Sequence, residues 1–170
     1  SDYNGAGIFA FDRAKMLRGE PNVRYIYFNT VSDSPERRRN MIPSDLDGLM
    51  PPPAGTPNVF VSYSADEYGD ASDAVRLFDF HASFGSPLQS TFTERPESPL
   101  AVAPFDPTSP QFRADIRQPP PGDFLDSNSD RVNYRAAYRN LGDRQSIVVN
   151  QTVRTSSSGD YRAGVRVHEL

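Results

Sequence analysis

Two histidines and two groups of acidic residues are the side chains whose types and spacing could support catalysis or metal binding. His81 and His168 lie far apart, and neither belongs to the His-Glu-x-x-His motif of zinc enzymes. The chain has no cysteine, no Gly-x-Ser-x-Gly motif and no glycine-rich phosphate loop that ends in lysine. A lone histidine on a strand is typical of a structural residue. We therefore expect a protein that is not an enzyme and that binds no cofactor.

Asp126, Asn128 and Asp130 have the alternate spacing of the first ligands in a calcium-binding loop. The match ends there, because Arg131 replaces the turn glycine and no glutamate follows where the bidentate ligand belongs. We predict a polar turn that binds no metal. A further acidic group is expected to form a solvated loop; it comprises Asp66, Glu67, Asp70 and Asp73.

Arginine supplies nearly all of the basic side chains, since Lys15 is the only lysine. Guanidinium groups form forked hydrogen bonds with carboxylates and other anions, so an arginine cluster can mark a binding surface. Coding bias is the alternative explanation. We take as candidate binding residues for a partner or an anion a C-terminal group: Arg131, Arg135, Arg139, Arg144, Arg154 and Arg166.

The segments that carry these arginines, around residues 131–139, 146–154 and 162–168, alternate apolar and polar side chains. Alternation with period two predicts a three-stranded antiparallel meander. A helix is the rival interpretation of residues 132–141, but the strict alternation favours a strand. Pairing across the first turn then places these residues opposite each other: Tyr134 and Val149, Ala136 and Ile147, Arg139 and Arg144.

One face of this meander is predicted to be apolar, and the other to carry the six candidate arginines together with Arg162. Like charges opposite each other destabilise a sheet, so this face must be solvated, paired with carboxylates or held against an anionic partner. Few acids lie nearby in sequence. Arg135 and Arg139 are central and are expected to matter most.

Shorter patterns predict the remaining elements. A helical turn is expected at residues 14–18, where Gly19 ends it. Residues 100–102 are expected to form a short edge strand. Further strands are predicted at residues 8–12, 23–28, 59–63 and 75–80.

Two long connections, residues 29–57 and 85–122, are rich in proline and are predicted to be largely irregular. They also contain apolar side chains that a solvated loop would not need. We predict that these anchors are buried on the domain or on a partner: Met41, Ile42, Leu46, Leu49, Met50, Phe92, Phe105 and Phe112.

The composition fits one all-β domain over residues 1–170, because the aromatic content of 11% offsets a hydrophobic fraction of 36% and 16 prolines. Within it we distinguish an N-terminal sheet (1–84), a proline-rich connection (85–122) and the C-terminal meander (123–170). A net charge of −4 disfavours nucleic-acid binding, which needs a positive surface. No apolar run is long enough to span a membrane.

Several runs of the sequence resemble a family of uncharacterised secreted bacterial proteins of β-propeller type. The runs are Phe11-Asp12-Arg13-Ala14-Lys15-Met16-Leu17, Pro43-Ser44-Asp45-Leu46-Asp47-Gly48, Leu77-Phe78-Asp79-Phe80-His81, Ser90-Thr91-Phe92-Thr93-Glu94 and Asn133-Tyr134-Arg135-Ala136-Ala137-Tyr138-Arg139-Asn140. The resemblance implies an exported protein and antiparallel meanders in a partial propeller-like or sandwich-like arrangement. A propeller needs at least four blades, so the chain is expected to be a fragment or a shortened relative.

Together these features predict a non-enzymatic binding or structural protein outside the cytoplasm, in the periplasm or at the cell surface. We expect a membrane-extrinsic subunit or scaffold piece whose partners are other protein subunits, with no nucleic acid and no membrane-spanning segment of its own. The alternative is a carbohydrate-binding or glycan-active β-propeller domain, which exposed aromatic side chains lining a groove with carboxylates would favour.

Overall fold

The computed structural model describes residues 5–31, 40–111, 114–157 and 160–170. Strands predominate in these residues, which confirms the all-β class. A short helix, α1 (Arg13–Leu17), and two 3-10 turns (Asp66–Tyr68 and Pro87–Gln89) complete the regular structure. The strands are β1 (Gly7–Phe11), β2 (Tyr25–Asn29), β3 (Ile42–Leu46), β4 (Asn58–Ser64), β5 (Ala74–His81), β6 (Thr91–Glu94), β7 (Leu100–Ala101), β8 (Val132–Asn140), β9 (Gln145–Arg154) and β10 (Ala163–Glu169).

The described strands form a two-stranded antiparallel hairpin, β1–β2, and a larger mixed sheet with the order β10-β9-β8-β3-β4-β5-β6. Strand β7 pairs with β5 beside β6. All pairings are antiparallel except β3 with β8, which is parallel. The C-terminal meander β8–β9–β10 is therefore one half of the larger sheet.

Strand β3 joins the two halves of that sheet, and the sequence reasoning missed it. Ile42 and Pro43 pair with β4, and the next three residues, from Ser44 to Leu46, pair with β8. Proline has no N–H to donate, so a strand that changes partner at Pro43 loses little. The connection 29–57 was predicted to be irregular because its prolines hide this five-residue strand. Its tri-arginine run, residues 37–39, lies outside the described residues.

The core consists of two apolar clusters on opposite faces of β4 and β5. Alternate residues such as Val61 and Leu77 face β8 and β9, whereas Phe60 and Phe78 face the β1–β2 hairpin. Strands buried on both faces lose the polar alternation of a half-buried strand. This double burial explains why β4 and β5 are nearly continuous apolar runs in the sequence.

The predicted pairing of β8 with β9 is correct at one end only. Val132 lies opposite Gln151 as expected, but the register shifts by two residues between Asn133 and Ala137. Beyond this bulge Arg139 lies opposite Ser146 and not Arg144. The side chain of Tyr134, predicted to be buried, is 83% exposed because it lies in the bulge. A shift of two preserves the parity of the faces, so the apolar face of β8 beyond the bulge remains as predicted.

Strand β10 presents the opposite faces from those predicted. Its alignment with β9 puts Arg166 opposite Gln151 on the core face, and Val165 and Val167 on the other face. Arg166 covers the ring of Phe105 at 5.3 Å from its centroid and donates to backbone carbonyls of residues 103 and 104. The prediction that the candidate arginines share one face is therefore wrong. The long β9–β10 connection leaves the register to tertiary contacts, which place a guanidinium on an aromatic ring.

The second long connection also contains structure that was not predicted, since β6 lies within residues 85–122. The edge strand expected at residues 100–102 is confirmed as β7. Phe92 packs against the hairpin-facing cluster and Phe105 is buried in the main cluster, whereas Phe112 lies outside the described residues.

The anchors of the first connection divide into two groups. Met41 and Ile42 pack against the core as predicted. Leu46, Leu49 and Met50 are exposed on the chain itself, so their burial against a partner stays a prediction.

Among the residues described, no helix has the length and apolar character needed to cross a membrane.

Candidate binding surface on the C-terminal meander

The side of β8, β9 and β10 that faces away from the core is the outer face of the meander. We define it by residues that pair across the strands with the same orientation: Ala137, Arg139, Ser146, Val148, Asn150, Thr152, Val165, Val167 and Glu169. The parallel pairing of Asp45 with Ala137 extends this face onto β3. Two of the predicted binding residues, Arg135 and Arg139, contribute to it.

Asp47 is the centre of a charged network on the outer face. Its Oδ1 lies 2.8 Å from Nη2 of Arg135, and its Oδ2 accepts hydrogen bonds from Nη2 and Nε of Arg139 at 3.0 and 3.1 Å. Asp45 Oδ2 accepts from Nη1 of Arg135 at 3.1 Å. A planar guanidinium that binds two carboxylates is held in one orientation. Arg135 is therefore oriented by two carboxylates, whereas Arg139 contacts Asp47 alone and its side chain is 60% exposed.

The charges of this network stabilise one another. Hydrogen bonds from Arg139 and Arg135 hold the pKa of Asp47 below its ordinary value of 3.8. In return, the Asp47 carboxylate raises the pKa of Arg135 above its ordinary value. Asp47 and Arg135 stay ionised near neutral pH, so an incoming partner meets permanent charges of both signs.

A groove of about 420 Å³ lies beside this network on the outer face. Apolar side chains of Ala137, Leu141 and Val148 line part of it. Glu169 and Ser146 line it as well, and the Ser146 hydroxyl donates to Glu169 Oε1 at 3.1 Å. With Arg139 and Asp47 also in the lining, the groove combines an apolar wall with fixed polar groups, which is typical of recognition sites.

Exposed valines continue the apolar surface from the groove towards the sheet edge. Val148, Val165 and Val167 are 41%, 70% and 62% exposed. Strand β10 pairs with β9 alone among the described strands, so its other edge is open. A cluster of exposed β-branched residues at an open edge is a surface suited to protein contact.

The other candidate arginines lie outside this network. Arg131 forms two hydrogen bonds of 2.8 Å with Asp130, and Arg154 lies 3.8 Å from Asp106. Arg144 is exposed next to the β8–β9 turn, and Arg166 lies on the core face. Of the six residues, the structure brings only Arg135 and Arg139 together.

Asp45 and Asp47 are the partners that sequence reasoning missed. Sequence reasoning considered the acids close to the arginines along the chain, whereas Asp45 lies in β3 and Asp47 directly follows that strand, about ninety residues away. The signal was present in the alternation of Ser44, Asp45, Leu46 and Asp47, which puts both carboxylates on one side of a strand.

The acidic group near β4 is part of the folded structure. Carboxylate oxygens of Asp66, Glu67 and Asp73 lie within 4.8 Å of one another. Asp73 is buried and accepts hydrogen bonds from the backbone N–H groups of Asp66 and Phe105 at 3.0 and 2.6 Å. Burial and the neighbouring carboxylates raise the pKa of Glu67. The prediction of a solvated loop is wrong for Asp73, which ties the turn to the core.

The remaining sequence candidates are separated from one another. In the turn at residues 126–130, Asp126 Oδ1 accepts from the backbone N–H of Asn128, as a polar turn requires, and its lack of calcium binding stays a prediction. His81 is exposed at the end of β5. His168 lies on the core face, where its Nε2 is buried without a hydrogen-bond partner among the described residues. Burial and Arg166 lower the pKa of His168.

Comparison with known proteins finds no family model, no curated protein and no solved structure that matches this chain.

Proposed function

We propose that this chain is a non-enzymatic binding and structural protein that acts outside the cytoplasm, as a membrane-extrinsic subunit or scaffold piece of a larger assembly. It contacts another protein subunit through the outer face of the meander. Binding of nucleic acid forms no part of this proposal, because the net charge is −4.

The observation that supports this proposal is that exposed valines and a network of ion pairs lie on the same face of the sheet. Burial of the apolar surface of these valines against a partner excludes water and favours association. The guanidinium groups of Arg135 and Arg139 are already oriented by Asp47, so a partner orders few side chains when it binds. Charge pairs beside an apolar surface add specificity for the register of the partner.

The location and the finer architecture are also proposals. The resemblance to secreted propeller-like proteins favours export, and a sequence without cysteine is compatible with it. We propose a fragment or a shortened relative with a propeller-like or sandwich-like arrangement, in which the meander is an outer element, since its outer face is not covered by other described strands.

The test is isolation of the native assembly from the producing cells through a tag on this chain. We expect a stoichiometric partner that Arg135→Glu with Arg139→Glu releases, more strongly at low than at moderate salt. Exposed arginines outside the network provide the matched control, Arg117→Glu with Arg162→Glu. Full retention by the first variant, with its fold intact, would remove the outer face from the functional account.

Carbohydrate binding remains the alternative proposal. Four aromatic rings exposed on the β1–β2 hairpin favour it, because sugar rings pack on aromatic side chains. The rings pair across the strands with one another and not with carboxylates, so the observation supports this alternative less than protein contact. Binding to an immobilised glycan panel that Phe11→Ser abolishes would support it.

A further inference from the structure

The β1–β2 hairpin has one face in the core and one face in solvent. Ile8 and Ile26 are buried against Phe78 and its neighbours. The opposite face carries aromatic side chains at four of its six positions, and these are 46–59% exposed: Phe9, Phe11, Tyr25 and Tyr27. We call this surface the aromatic face. A solvent-exposed apolar surface of this kind marks an interaction site.

The rings of the aromatic face contact one another. The centroids of Phe9 and Tyr27 are 4.5 Å apart, and the ring of Phe11 lies 5.9 Å from Phe9 and 6.3 Å from Tyr25. Gly7 leaves room for this packing, since a Cβ there would lie 3.1 Å from the Phe9 ring and 3.3 Å from the Tyr27 ring. The hairpin therefore presents one continuous apolar surface.

The tip of the hairpin adds aliphatic side chains. Helix α1, between the two strands, has no buried residue, and Met16 and Leu17 are 54% and 70% exposed. The tip is held closed by hydrogen bonds from the N–H of Asp12 to the carbonyl of Arg24 and from the N–H of Lys15 to Asp12 Oδ1. Adjacent apolar residues on a fixed, protruding tip contribute nothing to this chain's core.

The charge of the hairpin is opposite to that of the whole protein. Residues 7–29 contain four basic residues, Arg13, Lys15, Arg18 and Arg24, and two acidic residues, Asp12 and Glu20. Their charges sum to +2. Because the whole chain has a net charge of −4, the residues outside the hairpin carry −6. This charge distribution orients the protein near an anionic surface, with the hairpin towards the surface and the rest of the molecule away from it.

We infer that the β1–β2 hairpin docks on the surface of a lipid bilayer that contains anionic headgroups. Tyrosine and phenylalanine rings are favourable at the membrane interface, and Met16 and Leu17 can enter the boundary of the acyl region. Arginine and lysine side chains beside them attract anionic lipid. Aromatic, aliphatic and basic residues together match this interface. The inference rests on the proposed function only for the location beside a membrane, and it uses a different surface.

The test is co-sedimentation of the full chain with vesicles of phosphatidylcholine alone or with an equimolar share of phosphatidylglycerol. We expect partition onto the anionic vesicles that weakens at high salt. Met16→Glu with Leu17→Glu, and separately Arg13→Glu with Arg18→Glu, should each reduce it about tenfold. The matched control is Phe124→Glu with Leu125→Glu, an adjacent pair of exposed apolar residues outside both the hairpin and the outer face, which should partition as the unaltered chain does.

A second readout uses the absence of tryptophan from the sequence. The emission of a Tyr27→Trp variant should shift to shorter wavelength with anionic vesicles, since the aromatic face leaves water. No partition onto anionic vesicles, or partition that the tip variant leaves unchanged, overturns the inference. An emission shift caused by soluble oligosaccharides or by self-association, without vesicles, also overturns it. If the chain does not bind vesicles but the Arg135 and Arg139 variant still releases the protein partner, the proposed function stands and only the membrane inference fails.

Discussion

The aromatic face of the hairpin and the outer face of the meander are both exposed, partly apolar sheet faces, but they differ in their charges. The meander matches its central arginines with carboxylates, as Asp47 binds both Arg135 and Arg139. The hairpin also pairs Arg24 with Asp12 and Arg18 with Glu20, but it carries two more basic than acidic residues. The difference shows that neighbouring apolar strands can serve different contacts: a charge-matched face suits a protein partner, and a positive aromatic face suits an anionic surface.

The largest expected effect is the difference in stability between the removal of a buried aromatic ring and the removal of an exposed one. Phe78→Ala should lower the free energy of unfolding by about 3–5 kcal/mol, because this fully buried ring supports the hairpin from below. Tyr134→Ala, in the bulge of β8, should change it by less than about 0.5 kcal/mol. Denaturant unfolding of both variants measures the difference. A large loss for Tyr134→Ala would contradict the bulge.

A smaller effect is expected beneath the outer face. Gln151 is fully buried on the core face, and neither its Oε1 nor its Nε2 has a partner among the described residues. Gln151→Met should therefore stabilise the protein, by about 1–2 kcal/mol, since an unsatisfied buried amide is removed at similar volume. Gln145→Met is the control: Gln145 accepts a hydrogen bond from the Tyr138 hydroxyl, so this change should not stabilise. Equal effects would disprove the explanation.

His168 makes stability depend on pH. Burial and Arg166 lower its pKa in the folded state, so the unfolded chain binds the proton more readily. Stability from this group is full above the ordinary pKa of 6.5 and is lost as pH falls from there through the lowered folded pKa. Unfolding experiments across this range should show a decline in the free energy of unfolding that His168→Gln reduces, and a decline that this variant leaves unchanged would contradict the explanation.

The smallest effect concerns Asp47 and tests the charge matching directly. Its lowered pKa means that the stability it contributes is present above its ordinary value of 3.8 and is lost as pH falls through the folded pKa. The carboxyl resonance of Asp47, followed by NMR, should titrate below 3.8. Arg135→Gln with Arg139→Gln should return the midpoint towards that value. An unchanged midpoint would show that the arginines do not bind Asp47 in solution.

The sequence by itself determined the elements that local patterns encode. Alternation located most of the strands, Gly19 marked the end of α1, and the absence of cysteine excluded thiol chemistry. The faces of β8 and β9 also followed from alternation, although the predicted register holds only at the Val132 end and is shifted by two residues beside the turn. Local chemistry decides such features within a few residues.

Only the tertiary structure decided which faces meet solvent and which charges meet each other. Alternation defines two faces of a strand, but the layer that covers one of them comes from residues distant in sequence. In β10, Arg166 packs on the ring of Phe105, and Val165 therefore lies on the exposed face. The same holds for Asp47, which reaches Arg139 because β3 pairs with β8 across ninety residues. Long-range pairing depends on the packing free energy of the whole sheet, and no local pattern contains it.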